Sequence, residues 1–251
     1  MQITLTTFLR EADFIKCSFI AAVFCMHCGM SGAALANGKL THLSGVVKVK
    51  QAGANDALAL PDMVVKAGDV ITTGANGYVR LQTSDGGNMV LRPNSELHFE
   101  QYNYEESQPE QDSFVYSLLK GGLRTVTGLV GKRGNKAAYL GKTTTATIGI
   151  RGTFFEMRVC NNDCGVLPNG SYFSLRSGAI EVGNATDKIT INTGQVAFVP
   201  LDGAPQILPR DPGIGFTAPS DIPKQSEHKS DAARNEAAGG DSQDDASCAI
   251  Q

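Results

Sequence analysis

A local unit recurs in this chain: an apolar residue, two further residues, a glycine, one residue, and an apolar residue again. It reads Val65-Lys-Ala-Gly68-Asp-Val70, Leu118-Leu-Lys-Gly121-Gly-Leu123, Leu175-Arg-Ser-Gly178-Ala-Ile180 and Ile191-Asn-Thr-Gly194-Gln-Val196. Glycine at such a place supplies a positive φ at a corner, after which the chain resumes as a strand. Around these units lie short β-prone runs such as Tyr78-Val-Arg-Leu-Gln82, Phe155-Glu-Met-Arg-Val159 and Val196-Ala-Phe-Val199, several alternating apolar and polar residues. Asp85-Gly86-Gly87-Asn88 between two runs has the composition of a hairpin turn. No helical periodicity extends through this region. The 28 glycines, 19% charged residues and absence of tryptophan suit strands and tight turns better than a helical bundle. The expectation is an all-β fold of β-solenoid or β-roll type, with a two-sheet β-sandwich as the alternative, because the spacing of the unit is not constant.

Three segments are expected. Residues 1–36 read as a signal peptide, with Arg10 and Lys16 ahead of an apolar core and Ala34-Leu35-Ala36 as the small-x-small cleavage pattern. Residues 37–200 form the β-rich domain. Residues 201–251 form a tail, first Pro-rich, then acidic and poor in large apolar residues, whose burial cannot offset ordering entropy, so disorder is expected. No apolar run beyond residue 40 reaches the ~20 residues of a membrane helix, so none is expected in the mature chain. Export would remove Cys17, Cys25 and Cys28 and leave Cys160, Cys164 and Cys248. An oxidising compartment permits a Cys160–Cys164 disulfide bond across Asn161-Asn-Asp163, a trio suited to a hairpin tip. Two free thiols or half a metal site are the alternatives, though no third Cys or His lies nearby in sequence for zinc.

Catalytic patterns are nearly absent. His42, His98 and His228 are the only histidines after the signal segment, and no Gly-x-Ser-x-Gly elbow presents a nucleophile. Gly-Lys occurs at Gly131-Lys132 and Gly141-Lys142 without P-loop spacing. Paired carboxylates of a hydrolase would have to come from Asp69, Asp85, Glu96, Glu156 and Glu181, each explicable as a turn residue or an exposed strand residue. No catalytic residue, cofactor or metal is assigned.

Two stretches resemble the FecR domain family. Ala67 to Leu97 carries, in order, Gly68-Asp69, Thr73-Gly74, Asp85-Gly86 and Pro93-Asn94-Ser95. Thr145 to Phe155 ends in Ile150-Arg151-Gly152-Thr153-Phe-Phe155, similar to the family's closing signature. The resemblance covers about residues 45–160 and implies a periplasmic β-rich module. In the name-giving members, that module relays the state of an outer-membrane receptor to a sigma factor. Here the signal-like stretch begins almost at the N-terminus with no anti-sigma helical segment ahead of it, which points to a stand-alone exported module. The glycines read as turn residues, and Asp69, Asp85, Asn94 and Ser95 as turn caps. Arg151 reads either as a tether for loop carbonyls or as a ligand contact.

Between Ser113 and Arg158 eight bases face one acid. Lys120, Arg124, Lys132, Arg133, Lys136 and Lys142 are the candidate contacts for an anionic partner, either an envelope protein or an envelope polymer. Nucleic acid is not expected for an exported chain. The acidic stretch Glu100–Asp112 could cover the same face. The functional expectation is a non-enzymatic exported binding or scaffolding module. A periplasmic sensor acting on a separate regulator, or a cell-wall or polysaccharide hydrolase, are the alternatives.

Overall fold

In the computed structural model the residues described are 37–135, 137–220 and 222. The expected signal peptide (1–36), most of the acidic tail, Lys136 and Cys248 lie outside them. The fold is all-β. Its fifteen strands are β1 (Gly38–Ser44), β2 (Val47–Lys50), β3 (Asp56–Leu58), β4 (Val64–Val65), β5 (Val70–Thr73), β6 (Tyr78–Thr83), β7 (Asn88–Leu91), β8 (Glu96–Asn103), β9 (Ser113–Val126), β10 (Tyr139–Lys142), β11 (Thr147–Cys160), β12 (Gly170–Gly183), β13 (Lys188–Asn192), β14 (Val196–Pro200) and β15 (Gln206–Leu208). Among the described residues, no helix is long and apolar enough to cross a membrane.

The pairing resolves into two ladders. The first runs β4–β1–β6–β7, then the C-terminal half of β9, that of β11, the N-terminal half of β12, β14 and β15. The second runs β3–β2–β5–β8, then the N-terminal half of β9, β10, the N-terminal half of β11, the C-terminal half of β12 and β13. The β9–β10 pair is parallel and every other pair antiparallel. Neither ladder's pairing closes on itself. The β-structure continues past Pro200, because Ile207 pairs with Ala197 and extends the edge of the first ladder.

The recurrent glycines mark where the chain passes between ladders. Gly68, Gly121, Gly178 and Gly194 have φ of 91°, 78°, 90° and 84°. Gly121 and Gly178 bend β9 and β12, and Gly152, with φ of 62°, bends β11. A side chain at Gly121 would lie 2.3 Å from Ser95 Oγ and 2.5 Å from the Asn94 carbonyl. One corner therefore stacks directly on the next. Ser95 Oγ accepts the Gly122 N–H (2.9 Å) and donates to the Arg92 carbonyl (2.8 Å). Thr73 Oγ1 donates to the same carbonyl (2.6 Å) and accepts the Ser95 N–H (2.9 Å).

The alternating residues of both ladders fill one apolar core. Its densest part is a group of rings, Phe99, Tyr102, Phe114, Tyr116 and Tyr139, with neighbouring centroids such as Phe99–Phe114 and Phe114–Tyr139 both 4.9 Å apart. Each fully buried large side chain stabilises the fold by ~1.5–3 kcal/mol. Burial raises the Tyr116 and Tyr139 phenols far above their ordinary value, so both remain neutral.

Candidate functional site

The Arg151 signature is positioned from beneath by two hydroxyl and carboxylate clamps. The Thr153 N–H donates to Thr127 Oγ1 (2.8 Å), and the Thr127 N–H returns to the Thr153 carbonyl (3.0 Å). Three residues on, the buried Asp85 carboxylate accepts the Val130 N–H (3.0 Å), the Gly87 N–H (3.2 Å), the Tyr102 hydroxyl (3.0 Å) and the Thr83 hydroxyl. Burial, then the Asp85 charge, raises the Tyr102 phenol well above its ordinary range, which keeps it a donor to that carboxylate. The landmarks Asp85-Gly86 and Arg151-Gly152-Thr153 thus hold the segment 127–131 from two sides.

Above this support, β11 turns Thr147, Gly149 and Arg151 outward and Ile148 and Ile150 inward. Arg151 is exposed, and its side chain makes no hydrogen bond or ion pair among the described residues. The tether role is therefore not carried by Arg151, which lines a recess beside the loop 130–135 without a hydrogen bond to its carbonyls. Arg133 carries such a role instead. It bonds Asp112 Oδ2 (3.0 Å) and the carbonyls of Glu105 (2.8 Å) and Glu106 (2.9 Å), and lies 4.9 Å over the Tyr104 ring.

Arg151 stands between two openings. One is a recess of about 390 Å³ shared with Lys132 and Val130. The other is an open trough of about 1060 Å³ along β10, β11, β12 and β13, with Thr143, Thr145, Thr147, Thr186 and Thr190 on its walls. Small residues open its floor at two places, Gly149 on β11 opposite Glu181 and Ala179 on β12 opposite Arg151. Gly149 has no positive φ. A Cβ added there would meet only the Glu181 Cβ, at 4.0 Å. Glycine inside a strand costs stability, and here no neighbour demands it. What its missing side chain does is leave the floor open.

The five carboxylates considered for hydrolysis do not converge. Asp69 caps its corner by accepting the Lys66 N–H (2.9 Å) and the Ala52 N–H (3.1 Å). Asp85 sits in the clamp above. Glu96 bonds His98 (2.9 Å), and Glu181 lines the trough opposite Gly149 in register and bonds Lys188 (3.2 Å). Glu156 is buried on the outer face of the first ladder between Arg124 and Arg176.

The five described candidate basic residues also separate. Arg124, Arg133 and Lys142 engage Glu156, Asp112 and Glu100 respectively, which are three different carboxylates. The Lys142 ammonium and the Ser117 hydroxyl hold the Glu100 carboxyl below its usual range. Lys120 stands opposite Glu96 in register. Lys132 is exposed beside Arg151, with no side-chain bond among the described residues. The acidic stretch 100–112 is thereby joined to Arg133 and Lys142, not to the Arg151 end of the trough. Gly74 packs against Val46, Asn94 takes a φ of 55°, and the Cys160 and Cys164 sulfurs lie 2.10 Å apart with Cα atoms at 5.5 Å. Sequence reasoning missed the trough. The signal for it was present, as a glycine between two isoleucines with no turn residue beside it.

No curated protein matches the chain. Two solved structures from Parabacteroides distasonis, each described as a "putative anti-sigma factor", are similar at 14% and 16% identity with TM-scores of 0.42 and 0.43. The match covers 55% of this chain and 57% of each of those, so the chain spans little more than half their length. The family model described as FecR protein matches residues 69–181, from the first corner aspartate to Glu181 in the trough. Over these residues the chain matches the FecR domain.

Proposed function

We propose that the chain is a non-enzymatic, exported binding module of the cell envelope. The trough takes an extended anionic segment of an envelope partner, protein or polymer. Arg151 and Lys132 supply charge at one end and threonine hydroxyls supply hydrogen bonds along the walls. The observation that carries this reading is the unpaired Arg151 beside a floor kept open by Gly149. The separate engagement of Asp69, Asp85, Glu96, Glu156 and Glu181 supports binding over hydrolysis, which needs converging carboxylates. The FecR match supports a second reading, in which the same trough belongs to an envelope sensor whose occupancy is relayed to a separate regulator. A disulfide link at Cys160 and Cys164 fits an oxidising compartment. Three strands that pass through glycine corners from one ladder to the other fit a rolled β-sheet better than two independent sheets.

The test is retention on envelope material at low and high salt. Replacing Lys132 with serine and Arg151 with alanine together should weaken retention about tenfold or more at low salt and flatten its salt dependence. Surface charge contacts are screened within ~8 Å at physiological ionic strength. Retention and salt slope equal to the unaltered chain would count against the trough as the contact.

A further inference from the structure

The outer face of the first ladder carries a second, unrelated surface. Register places Arg92, Gly122, Arg158 and Tyr172 along one row and Arg124, Glu156 and Ser174 along the next. Arg176 follows from β12. Four guanidinium groups therefore surround one buried carboxylate. Glu156 receives Arg124 Nε at 2.7 Å and Arg176 Nη2 at 2.9 Å. Arg92 and Arg158 have no such partner. Arg92 Nη1 is buried without an acceptor, and the Arg158 side chain makes no hydrogen bond or ion pair among the described residues. Burial, then the charge of Arg158, lowers the Arg92 pKa below its ordinary value. The Arg92 stem packs over Gly122, where an added Cβ would lie 2.5 Å from Arg92 Cδ, and Arg158 follows on the other side of Gly122 in register, a pair of guanidiniums that a carboxylate of an occupant would join.

A strap from the chain's own C-terminal part lies over this face. The Phe216 ring sits 4.7 Å from the Arg124 guanidinium carbon and 5.7 Å from that of Arg92, and its carbonyl accepts from Arg124. Ile214 is buried with Cys160 and Tyr172. Asp211 accepts from Ser174 Oγ (3.2 Å) and lies 4.0 Å from Arg176. Residues 209–220 form no strand, so the strap is held by side chains and can leave without breaking a ladder. It also leaves Arg92 Nη1 unsatisfied, which an occupant with a carboxylate beside its aromatic ring would correct.

We propose that this face is a docking site for an extended acidic protein segment bearing an aromatic residue, with residues 211–216 as its built-in, displaceable occupant. The strap displays the chemistry that fits, a carboxylate near Arg176 and a ring between two guanidiniums. The partner adds the carboxylate that Arg92 and Arg158 lack. An occupant that covers the face nine-tenths of the time weakens a competitor about tenfold.

The probe is a fluorescein-labelled, capped peptide of sequence Asp-Glu-Phe-Glu-Asp, titrated into the full chain by fluorescence polarisation. Phe216→Ala should bind it about tenfold more tightly than the unaltered chain. Adding Arg158→Ala, a half-exposed and unpaired residue, should remove most of that gain, and adding Arg92→Ala should remove it entirely. A peptide with serine for phenylalanine should bind more weakly to Phe216→Ala. The proposal is overturned by an unchanged affinity in Phe216→Ala, by a gain that survives Arg158→Ala, or by binding to phosphatidylglycerol vesicles in place of the peptide.

Discussion

Gly121→Ala is expected to unfold the chain or to lower its stability by more than about 4 kcal/mol, which is a large share of the ~5–15 kcal/mol typical of a domain. Two terms add. The φ of 78° costs an L-residue ~1–2 kcal/mol. The new methyl would also lie 2.3 Å from Ser95 Oγ and 2.5 Å from the Asn94 carbonyl, inside van der Waals contact with a neighbouring corner that cannot retreat. Ser95 is itself fixed by Gly122 and Arg92, so relief at one corner strains the next. Gly194 supplies the contrast, with a φ of 84° and nothing within 4 Å of an added Cβ. Gly194→Ala should cost only the backbone term. Thermal denaturation of the two variants separates these effects, at roughly 2–4 °C per kcal/mol for a domain of this size. Equal melting temperatures would mean that the corners do not stack.

Asp85→Ala should cost about 3–5 kcal/mol and loosen the site together with the fold. The substitution leaves the Val130 and Gly87 N–H groups and the Thr83 and Tyr102 hydroxyls without their shared acceptor, in a place where Asp85 itself is only 3% exposed. Val130 begins the segment that carries Lys132 to the recess beside Arg151. Amide hydrogen exchange should therefore accelerate at residues 127–132 well before global unfolding. Asp85→Asn, which keeps one acceptor oxygen, should fall between. Exchange at 127–132 that matches the unaltered chain would separate the clamp from the site.

The corner glycines were legible in sequence because a positive φ demands glycine, and because the apolar residues at fixed offsets resume the strand. The four units at Gly68, Gly121, Gly178 and Gly194 all fall at passages between ladders. The capping roles of Asp69 and Ser95 were legible for a related reason, since short polar side chains reach backbone groups close in sequence. What sequence did not show was the fate of long basic side chains. Arg133, in the turn between β9 and β10, is locked on Asp112 and two carbonyls, while Arg151, on an outward position of β11, makes no such bond among the described residues, and neither fate is written in the local sequence. Lys142 and Glu100 lie 42 positions apart and meet through strand pairing. The strap was hidden by composition. Its prolines and glycines suggest disorder, while Ile214 and Phe216 find their places only once β9, β11 and β12 have built the surface below them.

The trough is the centre of this account, and Gly149→Val tests it most directly. Valine suits a strand, and an added Cβ at this position meets nothing closer than 4.0 Å, so the melting temperature should hold or rise. The same side chain would fill the floor between the threonine walls. Retention on envelope material should then fall about tenfold or more while the fold persists, a separation that a purely structural glycine would not produce. A Gly149→Val chain that melts as the unaltered one does and is retained equally well would contradict the trough as the binding site.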